Sequence, residues 1–163
     1  MPHINYALDN TVETFVVYNH KVLLREHDKY RDKNGKPLLL SIGGHIEIDE
    51  DPNEAAIREV KEEVGLEIIL FNPVQTYPFV QTPEEYDLIP PAFMKRQSIS
   101  ATHEHCTFYY FATALTNDIL IPENEKKVKC YWFNNEELDN RKKDLSDRTY
   151  LYAKKALEVY KTD

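Results

Sequence analysis

The segment Gly44-His-Ile-Glu-Ile-Asp-Glu-Asp-Pro-Asn-Glu-Ala-Ala-Ile-Arg-Glu-Val-Lys-Glu-Glu-Val-Gly-Leu66 decides how the chain is read. Its second half carries unusually complete helix punctuation. Asp51 suits the N-cap, Pro52 the first helical position, and Glu54 completes a D-x-x-E capping box. Gly65 can take the left-handed conformation that stops a helix. The signals bound a helix over 52–64. With about 100° per residue and Ala56 at zero, Val60 falls near ~40°, Val64 near ~80° and Ile57 near ~100°. These residues are expected to form the buried stripe. Glu62, Glu59 and Glu63 fall near ~240°, ~300° and ~340°, one acidic arc beside that stripe. Like charges three and four residues apart repel. Held against the body of a protein, they raise one another's proton affinity unless a cation lies between them. A set of oxygen ligands alone points to Mg²⁺ or Mn²⁺ and away from Zn²⁺. Taken alone, an E-x-x-E-E fragment is also common on solvated helices.

The spacing goes further than the fragment. From Gly44 the chain reads five residues, Glu50, seven residues, Arg58-Glu59-Val60, one residue, Glu62-Glu63, one residue, Gly65-Leu66. This resembles the Nudix box, G-x5-E-x7-R-E-U-x-E-E-x-G-U with U a bulky aliphatic residue, at every specified position. The resemblance implies an α/β/α sandwich, an α+β fold with a mixed sheet flanked by helices, over residues 1–163 as one domain. It also implies a divalent-metal hydrolase that cleaves a nucleoside diphosphate linked to a further moiety by water attack on phosphorus. Position by position, Glu59, Glu62 and Glu63 match the metal-ligating carboxylates, and the carbonyl of Gly44 matches a frequent additional ligand. Arg58 matches the arginine that orients a box glutamate, and Glu50 the glutamate that supports the loop. Glu59 and Glu62, with Arg58, are the expected catalytic residues. The base is left open between Glu59 and a carboxylate of a later loop, Glu123 or Glu125, with Glu104 a weaker candidate. Arg25 and His45 are expected at the substrate's phosphates, and Tyr30, Tyr86 or Phe93, all read as loop residues, at a base. Two other readings share the fold: a non-catalytic nucleotide-binding domain and an isomerase of isopentenyl diphosphate type.

Outside this segment, Val12–Tyr18 and Val22–Arg25 read as a strand pair around an Asn-His turn. Residues 27–37 read as a polar loop, 38–42 as a buried strand, and 66–71 and 75–80 as strands. Residues 81–100 show no periodicity and contain three prolines, which reads as a long loop of functional or merely inserted character. His105–Leu115 is the strongest strand signal. His103 and His105 share its face but make no metal site by themselves. A strand over 127–133, with Tyr131 and Trp132 as core residues, a helix over 134–139 and an amphipathic helix over 146–161 complete the chain.

The 163 residues carry a net charge of −8, which speaks against broad binding of DNA, RNA or anionic lipid. The expected partner is a small nucleoside diphosphate derivative, and family likeness admits a homodimer. Two cysteines, Cys106 and Cys130, make no disulfide framework. They are expected to be buried thiols of a protein of the reducing cytoplasm. No apolar run spans a membrane and no secretory leader is legible.

Overall fold

A computed structural model describes residues 7–74, 80–123 and 128–160. Strand β1 (Ala7–Tyr18) turns through Asn19 and His20 into β2 (Lys21–Arg31). Both turn residues have positive φ, 49° and 60°, which matches the right-handed twist of a two-residue hairpin. Then follow β3 (Pro37–Leu40), β4 (Ile42–His45), α1 (Pro52–Val64), β5 (Ile68–Leu70), β6 (Phe93–Ser100), β7 (His103–Ala114), β8 (Cys130–Phe133), α2 (Asn135–Arg141) and α3 (Asp147–Val159).

β1 organises the sheet. It runs parallel to β7 from Ala7 opposite His103 to Val17 opposite Thr113, and antiparallel to β4 from Thr11 opposite His45 to Thr14 opposite Ile42. β5 and β6 both pair antiparallel with β7, and β3 and β8 with β2. One parallel ladder among antiparallel ones makes the sheet mixed, as expected. The period of two along β1 splits the core. Val12 and Val16 join Leu23, Ile42, Val60, Val64, Tyr110 and Ala112 under α1. Phe15 and Val17 join Leu24, Phe111, Ala153 and Leu157 under α3. Each fully buried aliphatic side chain contributes about 1.5–3 kcal/mol, so both helices are fixed by the sheet. No helix among the described residues is long and apolar enough to cross a membrane.

Several expectations need correction. β2 continues to Arg31, so Tyr30 lies on a strand and the polar loop shrinks to the turn before β3. The expected strand 38–42 is two strands broken at Ser41. The long loop ends at Phe93, where β6 begins, because β7 offers it a hydrogen-bonding edge. Residues 75–79, where another strand was expected, lie outside the described residues.

Candidate active site

The capping signals of α1 are all realised. The Asp51 carboxylate accepts from Asn53 N (2.7 Å) and Glu54 N (3.0 Å), and the Glu54 carboxylate accepts from Asp51 N (2.9 Å). Gly65 ends the helix at φ 72°. The buried face differs from expectation on one flank. Ile57 is 40% exposed, and Ala55 is buried in its stead, with Ala56, Val60 and Val64. The buried arc is thereby rotated towards the acids, and Glu59 and Glu63 fall inside it. Their side chains are 13% and 20% exposed, whereas that of Glu62, at the edge of the arc, is 60% exposed.

Arg58 is the hub of this helix face. It grips Glu50 with two nitrogens, Nε (2.9 Å) and NH2 (2.6 Å), and donates from NH2 to the His45 carbonyl (3.0 Å). Its NH1 donates to Glu59 (2.9 Å) and Glu62 (3.0 Å). Two-pronged guanidinium–carboxylate contacts are the strongest of their kind. The same contacts hold the Glu50 carboxyl below its ordinary pKa and raise that of Arg58. Glu50 also accepts from Glu47 N (2.9 Å), so it ties the loop between β4 and α1 to the helix. Glu63 lies 3.5 Å from Arg25, whose guanidinium is itself buried. Arg25, expected at the phosphates, thus faces a box carboxylate from the neighbouring sheet strand. The three acids are divided between two guanidiniums and do not converge on one point.

Two adjacent glycines are required here for different reasons. A Cβ on Gly43 would lie 2.0 Å from the backbone oxygen of Val12, inside the β1–β4 ladder. A Cβ on Gly44 would lie 2.4 Å from Oε1 of Glu59. The Glu59 carboxylate therefore occupies the space that a side chain on β4 would fill. Burial raises its pKa, against the pull of Arg58. An oxygen-only donor set with a desolvated carboxylate in a glycine cradle has the chemistry that a hard divalent cation selects. Glu59, Glu62, Glu63 and the Gly44 carbonyl are the groups that would hold it.

Beside this cradle, on the α3 side of the sheet, opens a cleft of about 610 Å³. Thr11 and Glu13 of β1, Gly43 and His45 of β4, and Thr107 and Tyr109 of β7 lie along it. Lys95 of β6 and Arg148 of α3 supply positive charge. Glu13 was not anticipated. Its carboxylate accepts from Ser41 Oγ (2.5 Å), and burial pushes its pKa up to about 7, with Ser41 and Lys95 opposing. Burial also lowers the pKa of Lys95, and Arg148 adds to the shift. A charged residue in the alternating pattern of a strand reads as an outward position, and nothing local reports that this face is a cleft floor. His45 and His105 line the cleft, with Asp9 and His103 next to them. His103 Nε2 lies 2.9 Å from Asp9 Oδ2. The His45 and His105 rings are edge to face at 5.2 Å.

The remaining candidates are dispersed. Glu104 is paired with Arg96 across the β6–β7 ladder. Glu125 lies outside the described residues, and Glu123 is exposed at the end of the described segment 80–123. Tyr30 and Tyr86 are 55% and 52% exposed, and Tyr30 lines the cleft. Phe93 is on β6 and stacks on Tyr152 at 4.2 Å, so it belongs to the packing of the sheet. Tyr131 and Trp132 pack against the core as expected. Cys106 and Cys130 are half-buried, less enclosed than expected.

The family model of the NUDIX domain matches residues 10–154, nearly the whole described chain. The chain belongs to the Nudix family. A solved hydrolase of the NUDIX family from Clostridium perfringens is 33% identical, with a TM-score of 0.74 over 93% of this chain and 97% of its own. A NUDIX hydrolase from Nitrosomonas europaea shares the fold at 15% identity and a TM-score of 0.60, over 94% of this chain and 90% of its own. The E. coli ORF135 protein does so at 16% identity and 0.60, over the full length of both. No curated protein matches the sequence. The Nudix box is thus the loop–helix–loop from Gly44 to Leu66, and its fold context is the mixed sheet between α1 and α3.

Proposed function

We propose that this Nudix protein is a hydrolase dependent on Mg²⁺ or Mn²⁺ that cleaves the diphosphate linkage of a nucleoside diphosphate derivative. The observation that carries the reading is the Glu59 carboxylate gripped by Arg58 and wedged against Gly44, a residue that also lines the cationic cleft. Glu59, Glu62, Glu63 and the Gly44 carbonyl would hold the metal. When bound, the ion neutralises charge on phosphoryl oxygens and acidifies water.

The chain's own residues divide the rest. Arg58 fixes Glu59 and Glu62 relative to each other through one nitrogen, and Arg25 fixes Glu63 from β2. Positioning of this kind is a large part of what phosphoryl transfer needs. His45, Lys95 and Arg148 face the cleft where the phosphates of a substrate would lie, and Tyr30 offers an exposed ring to a base. Glu59, whose carboxyl burial pushes above its ordinary pKa against the pull of Arg58, is the residue we assign to take the proton of the attacking water. The substrate is a small molecule, in keeping with the net charge of −8.

The test is a panel of nucleoside triphosphates, nucleotide sugars and dinucleotides with Mg²⁺, scored for released phosphate or pyrophosphate, on wild type, Glu59→Gln and Glu62→Gln. At least one compound should be turned over, with a loss of roughly 10²-fold or more in each variant at unchanged thermal stability. Full activity in both variants, or no turnover of any compound by the wild type, would overturn the reading.

A further inference from the structure

Three adjacent strands bring Asp9, His45 and His105 together. Asp9 and His105 are direct partners in the parallel β1–β7 ladder. His45 is the partner of Thr11 on β4, two residues along β1 from Asp9. A period of two sends all three side chains to the same face. One carboxylate oxygen and one nitrogen from each ring lie within 4.8 Å of one another. A metal with ligands at about 2.0–2.2 Å draws its donors somewhat closer than that. The side chains of Asp9 and His45 are 43% and 61% exposed and can rotate inward, with no shift of the sheet.

A second observation points to a ligand. His105 Nε2 is shut off from solvent and has no hydrogen-bond partner. An unsatisfied buried nitrogen is costly, and here it belongs to a residue of a group of potential metal donors. His103 adds the supporting contact. Its Nε2 lies 2.9 Å from Asp9 Oδ2, which restrains the carboxylate as outer-shell partners restrain metal ligands.

We propose that Asp9, His45 and His105 form a second cation site, separate from the box carboxylates, that takes a borderline divalent metal of the Zn²⁺ class. Two imidazoles and one carboxylate are the donor set that imidazole-preferring metals select, whereas the box offers only oxygen. Three protein ligands leave a coordination position open. Because His45 and His105 line the cleft, that position is available to an oxygen of a molecule bound there.

The experiment is calorimetric titration of the metal-free full chain with ZnCl₂ under saturating Mg²⁺, with Co²⁺ visible absorption as the second readout. Wild type should bind one Zn²⁺ equivalent that excess Mg²⁺ does not displace, and Co²⁺ should give an imidazole-ligated spectrum. Both His105→Ala and Asp9→Asn should weaken Zn²⁺ binding by about tenfold or more. Asp9 is half exposed, so its variant reports on the site even if His105→Ala perturbs the fold. Glu59→Gln with Glu62→Gln should leave Zn²⁺ binding unchanged, which separates this site from the hydrolase reading. Unaltered Zn²⁺ affinity in Asp9→Asn, or loss of Zn²⁺ binding in the double glutamine variant alone, would overturn the proposal.

Discussion

At the scale of single residues, the two glycines of β4 make opposite demands. Gly43 is confined by backbone, which cannot yield without breaking the β1–β4 ladder. Gly44 is confined by the end of the Glu59 side chain, which can swing away. Gly43→Ala should therefore destabilise the fold by about 1–3 kcal/mol, as overpacking does. Gly44→Ala should cost little stability but displace the carboxylate. Its Mg²⁺ affinity should fall more than its unfolding free energy. Denaturant melts and Mg²⁺ calorimetry on both variants check this, and equal losses of stability would contradict it. Glu13 allows a pH prediction. Its pKa is about 7 in the folded protein against 4.5 for the free side chain. Below pH 4.5 the carboxyl is protonated in both states. Between pH 4.5 and 7 the folded chain keeps a proton that the unfolded chain has released, so stability falls as pH rises, by at most about 1.4 kcal/mol per unit. Glu13→Gln removes that penalty. In EDTA, the variant should be more stable than wild type at pH 8, with the gap closing towards pH 4.5. A gap independent of pH would refute the assignment.

At the scale of elements, α1 shows what local chemistry can and cannot reveal. Its boundaries were legible because Asp51, Pro52, Glu54 and Gly65 each act on backbone within one turn. Asp51→Ala removes the acceptor for two amide groups and should cost about 1 kcal/mol, measured as a shift in denaturation midpoint at constant slope. A loss below a few tenths would mean that the sheet, not the cap, fixes the helix start. Which face of α1 is buried was legible only to within one flank. The wheel includes both Ile57 and Ala55 as candidates, and hydropathy favours isoleucine, but the sheet covers the alanine. β6 was illegible for a different reason. Between Phe93 and Ser100 most residues are exposed, so the strand has no buried face to print a period of two on its sequence. Its existence depends on β7, the strong strand that it pairs with as a hairpin, from Phe93 opposite Tyr109 to Ser100 opposite His103. The box carboxylates were readable because they lie on one helix. Glu13, Lys95 and the Asp9–histidine group were not, because the parallel pairing of β1 with β7, some 96 residues apart, assembles them.

At the scale of the whole molecule, an aromatic block joins the packing to the cleft. Phe93 of β6 lies flat on Tyr152 of α3, 4.2 Å away and 6° from parallel. Tyr152 meets Tyr109 of β7 edge-on at 5.0 Å and Phe15 of β1 at 6.2 Å. The two cations of the cleft hang from this block. Lys95 follows Phe93 by two residues on β6, and Arg148 precedes Tyr152 by one turn on α3. The Arg58 network, by contrast, is built on α1 and the loop after β4, on the other side of the sheet. Loosening the block should therefore disturb phosphate binding more than the positioning of the box carboxylates. Phe93→Ala removes a half-buried ring and should cost up to about 3 kcal/mol. On whichever compound the panel identifies, KM should rise severalfold while kcat changes little, because interactions lost equally in ground and transition states appear in KM. A variant that kept its KM and lost kcat would place the block's influence on the carboxylates, and would mean that the sheet transmits packing from one face to the other.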